Sequence, residues 1–352
     1  MRNSSNWAAF FVYPILQTGV SILVSLLSPH GTWGSYVYTQ MDALPVIQIA
    51  SLLGSSAVVF LLGTFASALA IALSKGSRMN LVSGVGYGFV RLAMASPEPV
   101  IRIGLASVDD SANDSVWIAY SNLVDRLARA NAKIIVLPEK TAVLSSDLGT
   151  RMAYFSKLAA RDSVYLVVGV QINQTTEKDN AMWLFGPKGV LLAQYHEQHL
   201  VPALEGDLKP GHENMWREID GSRYGLAICR DLLFSQLGRD YGNLGVSTML
   251  VLAWDFHVDA WMESSVASMR GVENGYSTVR AGRESYLNVC DRYGRIVARK
   301  RSNFLPGTSL LCDLPLGPGQ PTLCARFGNW FGMLTVIAMV VILWKRPAGG
   351  HL

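Results

Sequence analysis

The chain has 352 residues, of which 50% are hydrophobic types and 16% are charged. A soluble globular domain carries about 25% charged residues, so this composition argues against disorder and against a plain soluble enzyme. The net charge of +4 falls in no basic run, which argues against a nucleic-acid partner. Residues 1–98 carry six charged side chains and residues 327–352 carry two, whereas 99–326 approach the soluble norm. The pattern predicts apolar ends around one water-soluble domain.

Three uncharged segments are long enough to cross a bilayer, which takes roughly 20 residues. They are residues 7–27, 46–74 and 327–344. A cleaved signal peptide has a shorter apolar core, so the first segment is interpreted as an uncleaved helix. The second exceeds a hydrocarbon core of ~30 Å and must tilt or protrude. The alternative for each segment is a buried core helix.

The positions of Lys and Arg predict the orientation, because these residues favour the cytoplasmic side. Those near the apolar segments are Arg2, Lys75, Arg78, Lys345 and Arg346. The loop 28–45 carries none and is predicted to lie outside. Parity then requires a fourth crossing, for which 79–95 is the candidate, although it is short and contains Arg91. Both termini are thus expected in the cytoplasm and 99–326 outside; the alternative is an interfacial helix with a cytoplasmic domain.

From residue 99 onward, strand and helix signals alternate. Apolar runs predict strands at 100–108, 133–137, 164–170, 224–228 and 249–253. Helical spacing predicts helices at 116–132, 151–161 and 261–274, and turn residues predict hairpins at 181–194 and 286–299. This mixture indicates a single α/β sandwich domain with mixed sheets.

Three polar features follow predicted strands, where α/β folds present their sites. They are Glu139, the segment 195–202 with Glu205 just beyond it, and Cys229. A thiol becomes a nucleophile when a base removes its proton, and a buried carboxylate can be that base. The alternative for Cys229 is a buried structural cysteine.

Four motifs together resemble the carbon–nitrogen hydrolase (nitrilase) superfamily: LPE at 137–139, Y-x-x-x-HLVP at 195–202 with Glu205, AIC at 227–229, and R-x-x-EN at 270–274. The branch that the chain resembles most is apolipoprotein N-acyltransferase. The resemblance implies a nitrilase-like α-β-β-α sandwich domain at 99–326, flanked by transmembrane regions at 1–98 and 327–352. It also implies the bacterial inner membrane, with the domain extracytoplasmic. That branch has more spans, so this chain looks truncated.

The resemblance also implies the roles of the site residues. Glu139 matches the family's base, Cys229 its nucleophile and Glu205 its supporting acid. The family's lysine, which stabilises the tetrahedral intermediate, is replaced here by Glu197. Three interpretations stay open: the site is inactive, a cation comes from elsewhere, or Glu197 is neutral and donates a hydrogen bond. The candidates for that cation are Lys140, Lys209 and Arg230.

The leading functional hypothesis is a membrane-embedded acyltransferase in which Cys229 takes an acyl group as a thioester and passes it to an amine. The resemblance implies a phospholipid donor and a lipoprotein N-terminus as acceptor. One alternative is a membrane-tethered amidase acting on a small amide; another is a non-catalytic binding protein. No cofactor is expected, and no metal, because His196 and His199 have no third ligand at suitable spacing. We expect the four matched side chains to converge in one pocket.

Overall fold

The computed structural model describes residues 4–75, 83–110, 114–145, 147–174, 178–202 and 204–345. Arg2, Arg78 and Arg346, which contribute to the predicted orientation, lie outside these ranges. The chain divides into two compact units. One comprises Met1–Ser96 with Thr322–Leu352, and the other is Pro97–Pro321.

The first unit is helical. Its helices are α1 (Ser4–Leu27), α2 (Leu44–Ile47), α3 (Ala50–Leu53), α4 (Ser55–Lys75), α5 (Ser83–Ala93), α10 (Leu323–Phe327) and α11 (Trp330–Trp344). Helix α1 packs against α4 and α11. Phe60 of α4 meets Phe331 of α11 edge to face, with ring centroids 5.3 Å apart. Ser56 donates a hydrogen bond of 2.7 Å to Asn329, so a polar contact fixes the same helix pair.

One predicted span differs from these helices. The range 46–74 is not one helix, because Gly54 adopts φ 80° and separates α3 from α4. The range 79–95 contains α5, and its residues 79–82 lie outside the described ranges, so this crossing stays a prediction. Within the described ranges, two helical stretches, Phe10–Leu27 and Ser55–Leu73, have the length and composition to cross a membrane. A core helix of a soluble protein can satisfy the same criterion.

The second unit contains two sheets. Its strands are β1 (Val100–Ser107), β2 (Ile134–Val136), β3 (Ala142–Leu144), β4 (Tyr165–Asn173), β5 (Lys178–Phe185), β6 (Leu191–His196), β7 (Trp216–Ile219), β8 (Ser222–Ile228), β9 (Thr248–Trp254), β10 (Ser277–Arg283), β11 (Tyr286–Cys290), β12 (Ile296–Arg301) and β13 (Thr308–Pro315). The first sheet has the order β13-β1-β2-β4-β5-β6, with β3 also paired to β4. The second has the order β12-β11-β10-β9-β8-β7. Both sheets mix parallel and antiparallel pairs.

Four helices of this unit cover the two sheets: α6 (Asp114–Arg129), α7 (Leu148–Asp162), α8 (Ser235–Asn243) and α9 (Ala260–Asn274). One apolar core lies between α6, α7 and the first sheet, and includes Phe155 and Trp183. A second core joins the inner faces of the two sheets, where Leu105 and Leu226 are fully buried. Helix α9 packs on β10 and β11. The layers are therefore α-β-β-α, as the resemblance implied, and the carboxyl ends of the parallel strands are left to carry polar side chains.

Candidate active site

The four residues matched by sequence follow strands of both sheets. Glu139 comes three residues after β2, and Glu197 directly follows β6. Glu205 lies in the segment that continues from Glu197. Cys229 directly follows β8 and has φ 41°, a left-handed conformation that is uncommon for a residue other than glycine. Strained backbone of this kind clusters at functional sites, so the turn after β8 is a candidate position for a nucleophile.

Three of the four form one buried carboxylate cluster. Oxygen atoms of Glu139, Glu197 and Glu205 all lie within 4.8 Å of one another. The side-chain amide of Asn180, near the start of β5, donates to each of them: at 2.9 Å to Glu139, 2.8 Å to Glu197 and 3.2 Å to Glu205. One fixed amide therefore positions the three acids.

Lys140 supplies the positive charge that contacts this cluster. Its ammonium lies 2.5 Å from Glu205 Oε1 and 3.4 Å from Glu139 Oε1, and its side chain is 12% exposed. Three carboxylates at this spacing resemble a ligand set for a divalent ion, but the Lys140 ammonium already binds two of them. The arrangement is that of a buried ion-pair network, in which each charge depends on its partners.

Cys229 lies close to this cluster, because its thiol interacts with the Glu139 carboxylate and helps to lower the pKa of that acid. Burial raises the pKa of the thiol well above its ordinary value, and the negative charges of Glu139, Asp255 and Glu197 raise it further. At neutral pH the sulfur therefore carries its proton. A reaction at this sulfur requires a base near it, and Glu139 is the acid whose charge affects the thiol most.

Burial also raises the pKa of Glu139 itself, against the opposing effects of Lys140 and Asn180. The pKa of Glu197 is raised well above its usual range, first by burial and then by the charge of Glu139. Burial lowers the pKa of Lys140, but the charges of Glu139 and Glu205 outweigh it and leave this pKa above the ordinary value. Lys140 is thus held in its charged form, whereas burial and the neighbouring acids favour the protonated form of Glu197.

The loop between β6 and Glu205 is fixed to the nucleophile turn by Asp231. Its Oδ1 accepts hydrogen bonds from the backbone N–H groups of Gln198 at 3.1 Å and His199 at 3.0 Å. Its Oδ2 accepts from the Tyr195 hydroxyl at 2.6 Å and from the backbone N–H of Ile228 at 3.0 Å. One buried carboxylate therefore holds both flanks of Glu197 against the turn that begins at Cys229.

The remaining candidates from the sequence have other environments. Lys209 is exposed, and its backbone N–H bonds to the Lys178 carbonyl. The Arg230 guanidinium donates to the Leu200 carbonyl and lies 5.6 Å from the centre of the Phe234 ring. His199 stacks on that same ring at 3.9 Å. His196 pairs with Asp179 at 2.8 Å.

Sequence reasoning missed several polar residues near the thiol. Asp255 follows β9 and pairs with the buried Arg280 at 2.7 Å. Glu263, in the first turn of α9, has a pKa raised to about 8 by burial and then by the charge of Asp255. Both carboxyl groups contribute to the raised pKa of Cys229. Asp255 carried a signal, because it is an acid directly after an apolar strand; Asn180 and Glu263 carried none that distinguishes them from surface residues.

The layered fold, with a cysteine, a glutamate and a lysine meeting at strand ends, defines a nitrilase-type α-β-β-α protein. Residues 94–284 match the carbon-nitrogen hydrolase family, which is more than half of the chain. The chain belongs to this family. Its relatives in the family include acyltransferases and amidases.

Two relatives illustrate these activities. The chain is 25% identical to the apolipoprotein N-acyltransferase of Geobacter metallireducens, over 94% of this chain and 73% of that protein. It is 28% identical to the human omega-amidase over 43% of this chain and 60% of that protein. Among solved structures, an amidase from Nesterenkonia sp. superimposes with a TM-score of 0.57 at 17% identity, covering 67% of this chain and 98% of the amidase. That likeness supports the fold.

Proposed function

We propose that the protein is a membrane-embedded N-acyltransferase in which Cys229 carries the acyl group and Glu139 moves the protons. The observation that carries this proposal is that the Cys229 thiol interacts with the buried Glu139 carboxylate, which belongs to a cluster with Glu197, Glu205 and Lys140. A buried carboxylate with a raised pKa is suited both to accept a proton and to return it.

The reaction proceeds in two half-reactions. Glu139 accepts the thiol proton of Cys229, the sulfur attacks the acyl carbonyl carbon, and the leaving group departs with the proton that Glu139 returns. In the second half, an amine attacks the thioester carbonyl, Glu139 accepts one amine proton, and the sulfur leaves and regains its proton. The product is an amide, and the free thiol is restored. Such a covalent intermediate gives ping-pong kinetics.

Several observations support acyl transfer at a membrane. The alignment with the apolipoprotein N-acyltransferase extends over nearly the whole chain, including the helical unit. That unit provides two helices with the length and composition of membrane spans. On this basis the donor is a phospholipid and the acceptor is the N-terminus of a lipoprotein. We further propose the predicted boundaries, with 99–326 as the catalytic domain on the extracytoplasmic side of the inner membrane.

A second candidate is hydrolysis of a small amide by a membrane-tethered amidase. The similarity to the human omega-amidase, which aligns over 43% of the chain, favours this candidate. Water would then replace the amine in the second half-reaction. The same Cys229 thioester forms in both cases, so the two candidates differ in what releases it.

The test is acyl labelling of the full chain in phospholipid vesicles that carry a radiolabelled acyl chain. We expect label on Cys229 that hydroxylamine removes, and transfer of that label to a diacylglyceryl peptide with a free amine. Cys229→Ser abolishes the hydroxylamine-sensitive label, whereas Cys312→Ser, at a half-buried position in β13, retains it. Ammonia release from small amides without lipid-derived label would support the amidase. If neither product forms, both candidates are contradicted and a non-catalytic binding protein is favoured.

A further inference from the structure

The cation of the site does not stand where the family resemblance expects it. Position 197, which corresponds to the family's lysine, holds a glutamate with 1% of its surface exposed. Lys140, directly after the base Glu139, places its ammonium against two of the three carboxylates. The cluster therefore contains a lysine, but at position 140 and not at position 197, where the resemblance implies one.

The backbone conformation at Lys140 is unusual. The residue has φ 48°, in the left-handed region, which is unfavourable for residues other than glycine. Its ammonium also lies 5.8 Å from the centre of the Trp254 ring, within range of a cation–π interaction. An unfavourable backbone conformation at a largely buried lysine that contacts the base indicates a site that depends on this charge.

Charge counting favours the same assignment. If all three acids were ionised, one ammonium would leave two uncompensated negative charges in a buried cluster, which is costly. Glu197 makes only one of its two oxygens available to Asn180, and its Oε1 has no hydrogen-bond partner among the described residues. A proton on Glu197 reduces the cluster to two carboxylates and one ammonium.

We propose that Lys140 is the catalytic cation of this site and stabilises the oxyanion that forms when the Cys229 thioester is made and broken, in place of a lysine at position 197. This rests on the proposed function. The Lys140 ammonium lies 3.4 Å from Glu139 Oε1, and the Glu139 carboxylate interacts with the thiol, so the cation and the nucleophile share one neighbouring group. Glu197 acts beside it as a neutral acid.

The experiment is a charge-exchange cycle on the full chain, with rates of acyl-Cys229 formation from labelled phospholipid as the readout. Lys140→Gln alone leaves two carboxylates without a cation and should lower the rate by about 10²–10³, the usual effect of losing one oxyanion-stabilising group. Combining Lys140→Gln with Glu197→Lys returns the cluster to two carboxylates and one ammonium. The rate of the double variant should be at least about tenfold higher than that of Lys140→Gln alone. Lys209→Gln, at an exposed lysine, is the control and should react as the wild type does.

The cycle also separates the outcomes. If Lys140→Gln does not fold, the comparison is made in the Glu197→Lys background, where adding Lys140→Gln should change the rate by less than about threefold, because the ammonium at position 197 then serves the site. If the rate falls 100-fold or more in that background, a lysine at position 197 cannot replace Lys140, and the proposal is overturned. A folded Lys140→Gln variant that labels at the wild-type rate overturns the role of Lys140 while leaving Cys229 chemistry intact. A wild type that forms no thioester, but gains it on Glu197→Lys, contradicts the proposal and identifies an inactive site.

Discussion

Gly169, in the middle of β4, allows the segment that carries the base to lie against the sheet. A Cβ atom at this position would come within 2.4 Å of the Pro138 carbonyl oxygen and 2.6 Å of Glu139 Cα. Ordinary contacts begin near 3.4 Å, so Gly169→Ala must push the segment outward by about 1 Å. We expect this single methyl group to reduce catalysis without altering any polar residue of the site.

The magnitude follows from the overlap. Backbone atoms cannot rotate away as a flexible side chain can, so overpacking here should cost about 1–3 kcal/mol. For a protein of this size that corresponds to a melting temperature lower by about 2–12 °C. Displacing the base by 1 Å from the sulfur costs on the order of 10² in rate. The expected signature is therefore a large fall in kcat with a modest loss of stability.

The assay measures acyl-Cys229 formation and thermal unfolding on the same purified preparations. Gly149→Ala is the matched control, because this glycine lies in the first turn of α7 and a Cβ there would meet nothing within 4 Å. Alanine is the better helix former, so the control should be unchanged or more stable by up to about 1 kcal/mol. A Gly169→Ala variant with kcat within about threefold of the wild type would show that the position of Glu139 does not control the reaction.

Three further outcomes are expected. Asn180→Leu removes the amide shared by the three acids and should lower both kcat, by at least about tenfold, and the melting temperature; wild-type kinetics would exclude a role for this residue. Because the pKa of Glu263 is raised to about 8 in the folded state, from an ordinary 4.5, the folded state retains this proton and loses stability as the pH rises from about 5 to 8. Glu263→Gln should therefore gain melting temperature relative to the wild type across that interval, and a pH-independent difference would contradict the assignment. A reporter fused after Leu352 should be active in the cytoplasm and one inserted at Lys188, between β5 and β6, only outside; the reverse pattern would refute the orientation.

The strands that the sequence predicted best are those whose residues are apolar on both faces. The runs that became β1, β4 and β9 are buried almost throughout, so composition alone distinguishes them. Strand β10 was missed although all seven of its residues are buried. Its Arg280 is compensated by Asp255, 25 residues earlier in the chain, and such a partner is visible only after folding.

The helical unit shows the limit of counting uncharged residues. The range 46–74 contains no charge, yet the chain turns at Gly54, where the φ of 80° favours glycine. Hydropathy measures the cost of placing a segment in lipid and is insensitive to a single residue that ends a helix. The site shows a related limit. The resemblance matched Glu139, Glu205 and Cys229 to the family's site, but the sequence left three candidate cations, and only the packing of the folded chain places Lys140 against the acids.

The bonds of Asp231 explain how the cluster keeps its geometry with a glutamate at position 197. On either side of Glu197, Asp231 accepts hydrogen bonds from the side-chain hydroxyl of Tyr195 and from the backbone N–H of Gln198, and the backbone N–H of Glu197 itself donates to the Asn180 carbonyl at 2.9 Å. None of these bonds uses the side chain at position 197. The backbone there is therefore fixed independently of the side chain it carries, so this position can accept either a lysine or a glutamate. What must adjust is the charge, and a lysine next to Glu139 provides it.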